Sequence, residues 1–199
     1  MSDTNIELIS TISEDNKLEL APREIEIPEP GENDVIIRIE SAPINPSDLG
    51  VMFSAADMTT AKQSGSDDSP VINADVPAKF MGAVKKRIGK AIPVGNEGAG
   101  TVVAAGSSAA AQALMGKTVA FIGGGSYRKF LRANAQSCLE LEPGTTAEEG
   151  ASSFVNPLTA LTMVETMRAE GHKAIVHAAA ASNLGQMLNR ICIADGIDL

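Results

Sequence analysis

Two stretches of the chain hold the residues best suited to chemistry. In Asn45-Pro46-Ser47-Asp48 an amide, a hydroxyl and a carboxylate stand together where a loop enters a short helix. Asp48 reads as a carboxylate that caps local backbone amides, ahead of a role as a proton donor. The second stretch, residues 178–186, carries the spacing Ala180-x-Ser182-x-x-Gly185 ahead of a helical run. A turn that cradles a pyrophosphate asks for Gly-x-Gly-x-x-Gly. Here Gly185 keeps the position needed for close helix–strand packing. Small Ala180 and Ser182 let backbone amides and a helix N-terminus approach an anion. Taken alone, such a turn is a weak signal.

Other reactive side chains are isolated. Cys138 and Cys192 form no CxxC pair and have no histidine at metal-ligand spacing. His177 follows a short apolar run and reads as a core or turn residue, and His172 follows Gly171 in a surface turn. Gly123-Gly124-Gly125 is followed by alternation (Tyr127, Lys129, Leu131) and not by a helix, so it reads as a turn and not as a phosphate loop. Tyr127, the one tyrosine, is read as structural. Lys85, Lys86, Arg87 and Lys90 form the one basic cluster, a solvated helix face or a seat for a phosphate-bearing tail.

The elements that position these residues fall into two grammars. Period-two alternation at residues 24–27 and 35–39, with Pro28, Pro30 and Gly31 between, predicts short strands. The Ser-, Asp- and Gly-rich residues 62–72 predict a mobile loop, and Phe80, Met81, Val84 and Ile88 predict a helix over about 79–90. Strands resume at 101–103 and 118–122, with a short Ala-rich helix at 107–114. Near residue 143 the pattern turns helical. Thr145 and Glu148 have capping-box spacing, followed by a stripe of Leu158, Leu161, Met163, Val164 and Met167. Residues 173–177 predict a short buried strand, 183–194 a helix, and 197–199 the start of a second strand. Together these open a βαβ unit. A single unit of this kind cannot bury both faces of a parallel sheet, so the chain is expected to be a fragment or to rely on a partner.

Composition narrows the function classes. A net charge of -9 repels phosphate backbones, and aromatics for base stacking are scarce, with no Trp and one Tyr. Nucleic acid is therefore not an expected partner. The polar, acidic start is unlike a signal peptide, and no apolar run reaches the ~18 residues of a span, so a membrane is not expected and the location is expected to be cytoplasmic.

Four segments in order resemble one family, the medium-chain dehydrogenase/reductase superfamily, in its zinc-independent quinone oxidoreductases and enoyl-thioester reductases. They are residues 41–48, the Gly-x-Glu-Gly-x-Gly run Gly95-Asn96-Glu97-Gly98-Ala99-Gly100, Val155-Asn156-Pro157-Leu158-Thr159-Ala160, and the turn at 178–186. The resemblance implies a mainly β plus α/β chain. Residues 1–143 would form a GroES-like, partly open β-barrel, and 144–199 the truncated start of a Rossmann domain. It further implies hydride transfer from NADP(H) to a small-molecule acceptor, a quinone or an activated (enone or enoyl) double bond. Asn45 and Thr159 would be catalytic. Asn45, Asn156, Thr159, Ala181, Ser182, Asn183, Leu184 and Gly185 would hold the cofactor. Zinc-dependent relatives place Cys at Asn45 and His at Asn96, so no zinc is implied. Enoyl-thioester reductases place a proton-donating Tyr just after residue 48, where this chain has Val51-Met52-Phe53. Little activity is expected of the chain by itself, and a non-catalytic binding or regulatory protein that kept the fold stands as the alternative. The open edges of an unfinished sheet would allow a homodimer.

Overall fold

The computed structural model describes residues 4–198. The chain divides into two compact units, one ending at Ala151 and the other beginning at Ser152. Each has its own apolar core.

In the first unit β1 (Asn5–Ile12) and β2 (Lys17–Ile25) form a hairpin in register from Asn5↔Ile25 to Ile12↔Leu18. Period-two alternation turns Ile12, Leu18 and Leu20 to the interior. The remaining elements are β3 (Asp34–Ser41), α1 (Pro46–Phe53), β4 (Asp57–Ser66), β5 (Ser69–Asp75), α2 (Met81–Val84), β6 (Ile92–Pro93), β7 (Glu97–Ala105), α3 (Ala109–Ala113), β8 (Thr118–Ile122), β9 (Phe130–Asn134), β10 (Cys138–Glu140) and α4 (Ala147–Gly150). The strands make two sheets of five, ordered β4-β5-β2-β1-β6 and β10-β8-β7-β3-β9. One core gathers Val35, Ile37, Val102, Val119 and Phe121. The other gathers Ile12, Leu18, Val76, Val84 and Val94.

The sheets meet where β1 runs beside residues 127–129. Leu8 N–H donates to Tyr127 O at 2.8 Å and Lys129 N–H to Ile6 O at 3.1 Å. The fully buried Asn5 amide extends this ladder, donating to Phe130 O at 2.9 Å and accepting from Phe130 N–H at 3.0 Å. Beside it, buried Glu7 pairs with Arg128 at 2.8 Å and Arg23 at 2.5 Å. The far edges, β4 and β10, do not pair with one another. This is the expected partly open β-barrel.

Several local expectations are corrected. Residues 62–72 lie in a β-hairpin, β4 with β5, and not in a loop. Thr60 Oγ1 accepts from Asp75 N–H at 2.8 Å, and Lys17 pairs with Asp75, so polar cross-strand contacts hold a ribbon that buries little apolar surface. The helix expected over 79–90 is three short pieces, 3₁₀ turns at Ala78–Phe80 and Lys85–Arg87 flanking α2. The capping box sits one residue later than its spacing first suggests. Thr146 N–H donates to Glu149 Oε2 at 2.9 Å and Glu149 N–H to Thr146 Oγ1 at 3.2 Å. Thr145 is taken up by a turn, its N–H bonded to Glu142 O at 2.9 Å.

The second unit holds α5 (Val155–Ala169) and α6 (Asn183–Asp195), packed through Ala160, Val164, Leu188 and Cys192. Leu158 and Leu161, expected on the inner stripe, are exposed. The strand expected at 173–177 is a single parallel bridge, Ala174↔Asp198, and Val176 is 99% exposed. A parallel strand needs a ladder of partners, and only this pair supplies one. Ile175 still packs on the helix pair, its N–H bonded to Asp198 O at 3.0 Å. The bridge and the two helices are the start of a Rossmann-type unit, as expected. Leu199 lies outside the described residues.

Asn5→Ala would strand two buried backbone groups of Phe130 and should cost about 2–4 kcal/mol. The exposed control Thr162→Ala should stay within about 0.5 kcal/mol. Urea unfolding of both variants checks this, and equal midpoints would contradict the role given to Asn5.

Candidate functional site

In the first unit the site begins with α1. Pro46 at its first position presets the helical φ, and Asn45 stands before it as N-cap. Asp48 reaches back as the carboxylate of a capping box, accepting from Asn45 N–H at 2.7 Å. The Asn45 side chain faces elsewhere. Its amide donates to Glu97 Oε1, at the first residue of β7, at 2.9 Å. Asn96 completes the group by donating to Asp48 Oδ1 at 2.7 Å and to Ser47 Oγ at 3.1 Å. Asp48 and Glu97 are 0% and 1% exposed, so these amide donors stand where water would otherwise solvate two carboxylates.

Gly95 allows this approach. Its φ of +95° is left-handed, and a Cβ there would come 2.1 Å from Ser126 Oγ and 2.9 Å from Tyr127 N. The turn pairs with the triple glycine, Gly125 N–H to Gly95 O and Gly123 N–H to Asn96 O, both at 2.8 Å. That accounts for the glycine run as a turn. Tyr127 packs in the core beside α1 and donates its hydroxyl to Pro43 O at 2.8 Å, holding the loop that leads into Asn45. Val51, Met52 and Phe53 pack against the same core, so the place where enoyl-thioester reductases carry a tyrosine is filled by apolar side chains.

In the second unit Ser182 caps α6. Its hydroxyl accepts from Gly185 N–H at 3.0 Å and donates to Ala179 O at 2.7 Å. Gly185 sits against the turn, where a Cβ would come 2.4 Å from Ala179 O and 2.6 Å from Ala180 O. The N–H groups of Asn183 and Leu184, first in the helix, have no partner among the described residues. Ala181, Ser182 and Asn183 are exposed and Leu184 is half-buried. Half-buried Asn156 and Thr159 stand on the first turns of α5, and Thr159 donates its hydroxyl to Val155 O at 2.6 Å. That hydroxyl keeps its lone pairs as acceptors.

The remaining reactive groups are quiet. Burial pushes the Cys138 thiol up to about 11 and raises the Cys192 thiol as well, so neither is a thiolate at neutral pH. His172 pairs with Glu170 at the surface. His177 Nδ1 is buried without a hydrogen-bond partner. Among the described residues no three His, Cys, Asp or Glu gather as a metal cluster. The contact between Asn45 and Glu97 is what sequence reading missed. Both segments were singled out, but 52 residues separate the partners and spacing carries no trace of the bond.

Burial raises the Tyr127 phenol well above its ordinary value of 10.0, and the nearby Asp48 and Glu97 charges add to this. The neutral phenol is thus favoured in the folded chain. Its contribution to stability is whole below about pH 10 and is lost as pH rises beyond it. As the one tyrosine, it should show phenolate absorbance in the folded chain only well above the pH of its appearance in urea. Tyr127→Phe should flatten the alkaline fall in stability. Folded-state titration at the ordinary value would contradict the geometry.

No protein-family model and no curated protein sequence matches the chain. Solved structures do. A protein assigned as an NADPH:quinone reductase from Mesorhizobium loti is 28% identical, with TM-score 0.68, covering 99% of this chain and 54% of its own. A mycobacterial protein solved in complex with NADPH is 18% identical, with TM-score 0.58, covering 94% and 49%. An enoyl thioester reductase from Candida tropicalis, in a mutant form, is 21% identical, with TM-score 0.57, covering 96% and 51%. The chain thus spans about half the length of the structures it matches. It has the fold of the N-terminal portion of the medium-chain dehydrogenase/reductase superfamily.

Proposed function

We propose that this chain is the barrel and nucleotide-turn portion of an NADPH-dependent oxidoreductase that reduces a quinone or an activated double bond by hydride transfer. The observation that carries this reading is the α6 entry. Gly185 lets the helix N-terminus press against the turn, Ser182 holds the cap, and the Asn183 and Leu184 amides have no partner among the described residues. Paired free N–H groups at a helix N-terminus suit a pyrophosphate. NADPH, when bound, supplies the hydride. Ala181, Ser182, Asn183, Leu184 and Gly185 would hold its phosphates.

The resemblance assigns three residues to the nicotinamide end. Asn156 and Thr159 stand on the first turns of α5, Thr159 with its hydroxyl lone pairs open to a donor. Asn45, assigned with Thr159 as catalytic, presents a side chain fixed by Glu97. A fixed amide costs no reorganisation as charge develops on an acceptor oxygen. We further propose that the chemistry runs without zinc. At the positions of the zinc-dependent relatives' Cys and His, Asn45 and Asn96 turn N–H donors towards Glu97 and Asp48, a donor set that suits carboxylates and not a cation.

The alternative, a binding or regulatory protein on the same fold, is favoured by the apolar packing of Val51, Met52 and Phe53 where enoyl-thioester reductases keep their proton donor. It predicts cofactor binding with no turnover, and little turnover is also our expectation for this chain by itself. Fluorescence titration should show saturable NADPH binding. Gly185→Val should abolish it, and Ser182→Ala should weaken it roughly tenfold. Absent binding, or equal binding by Gly185→Val, would overturn the reading.

A further inference from the structure

The sequence between Pro77 and Asn96 holds Lys79, Lys85, Lys86, Arg87 and Lys90 and not one acidic residue, in a chain of net charge -9. The structure separates these five cations into two kinds. Arg87 turns inward, donating to Ser10 Oγ at 3.1 Å and to Val51 O at 2.9 Å. Gly89 N–H donates to Ile12 O at 2.8 Å, and Ile88 bridges Ile12. Met81, Val84 and Ile88 face the core. The segment is therefore pinned along one side to β1 and α1.

On the other side Lys79, Lys85, Lys86 and Lys90 are exposed, and none makes an ion pair among the described residues. Phe80 stands among them 42% exposed, with Lys79 Nζ 4.9 Å from its ring centre. From Lys79 to Lys90 the charges are spread over successive short turns, a length of roughly 15–20 Å at helical rise. A single phosphate is held by converging donors. Lysines spread along a fixed ledge instead meet many anionic groups at once. An aromatic ring beside lysines with long apolar stems suits a boundary between water and headgroups.

We propose that residues 78–90 form a docking surface for an anionic membrane, with Phe80 at the headgroup boundary and Lys79, Lys85, Lys86 and Lys90 against lipid phosphates and carboxylates. Clusters of four or more lysines on an amphipathic segment have this chemistry. The acidity of the rest of the chain repels the same surface, which favours approach on this face. The lack of a long apolar helix bears only on spanning. The proposal stands on the first unit alone and is independent of the reading of the nucleotide turn.

Co-sedimentation of the full chain with vesicles tests it. Vesicles of phosphatidylcholine with about one-third phosphatidylserine should pellet the chain at about 0.1 M salt, and phosphatidylcholine alone should not. Raising the salt to about 0.5 M should release it. The triple variant Lys85→Gln, Lys86→Gln, Lys90→Gln should bind roughly a hundredfold more weakly, with circular dichroism confirming that it folds. Phe80→Ala should weaken binding by a factor that salt does not change. Equal pelleting with both vesicle types, or undiminished binding by the triple variant, would overturn the proposal. Binding to soluble polyglutamate but not to vesicles would overturn it in favour of an acidic protein partner.

Discussion

A carboxylate taken out of water must be given hydrogen bonds, or the fold loses several kcal/mol on its account. This chain buries two at one end of its barrel, and much of the local architecture follows from how they are satisfied. Asp48 takes the Asn45 backbone N–H and the Asn96 amide, and Glu97 takes the Asn45 amide. Those three bonds join the start of α1, the turn before β7 and the first residue of β7. The left-handed Gly95, the glycine turn that mates with it and the Tyr127 hydroxyl on Pro43 then hold the loop from outside. Asn45 is left with one orientation, and a side chain with one orientation is what a site needs.

The second unit solves a related problem with backbone groups. Four N–H groups at a helix start lack intrahelical partners. The Ser182 hydroxyl takes that of Gly185, while those of Asn183 and Leu184 have no partner among the described residues. A side chain larger than hydrogen at Gly185 would lift the helix off the turn. The same glycine that permits close packing therefore keeps the open amides beside a short, small-residue turn. In both units a missing Cβ sets the backbone approach, and a polar side chain then caps what the approach exposes.

The legibility of the sequence follows the same division between local and distant causes. The strand at 35–39, the Glu24–Ile25 half of the strand expected at 24–27, where β2 ends, and the helix after Asn45 were readable because periodicity and capping act over a few residues. The family-like segments pointed to the barrel and to the tight turn before α6. The hairpin of β4 and β5 was not readable. β4 is largely polar and exposed along its length, so no alternation marks it, and its pairing with β5, itself paired to β2, makes it a strand. Residues 173–177 failed in the opposite sense. Their short apolar run is strand-like, yet a parallel ladder depends on neighbours, and Asp198 alone provides one among the described residues. The Asn45–Glu97 contact, carried by the barrel closing on itself, had no signature at short range.

The measurement that bears most directly on the account is an amide-resolved NMR titration of the chain with NADPH. The backbone amides of Asn183, Leu184 and Gly185 should move together and saturate, since they border the open N–H groups of the α6 entry. Saturable shifts confined to other residues, or no shifts, would contradict the assignment of this turn to the cofactor, and with it the reading of the chain as part of a nicotinamide-dependent reductase.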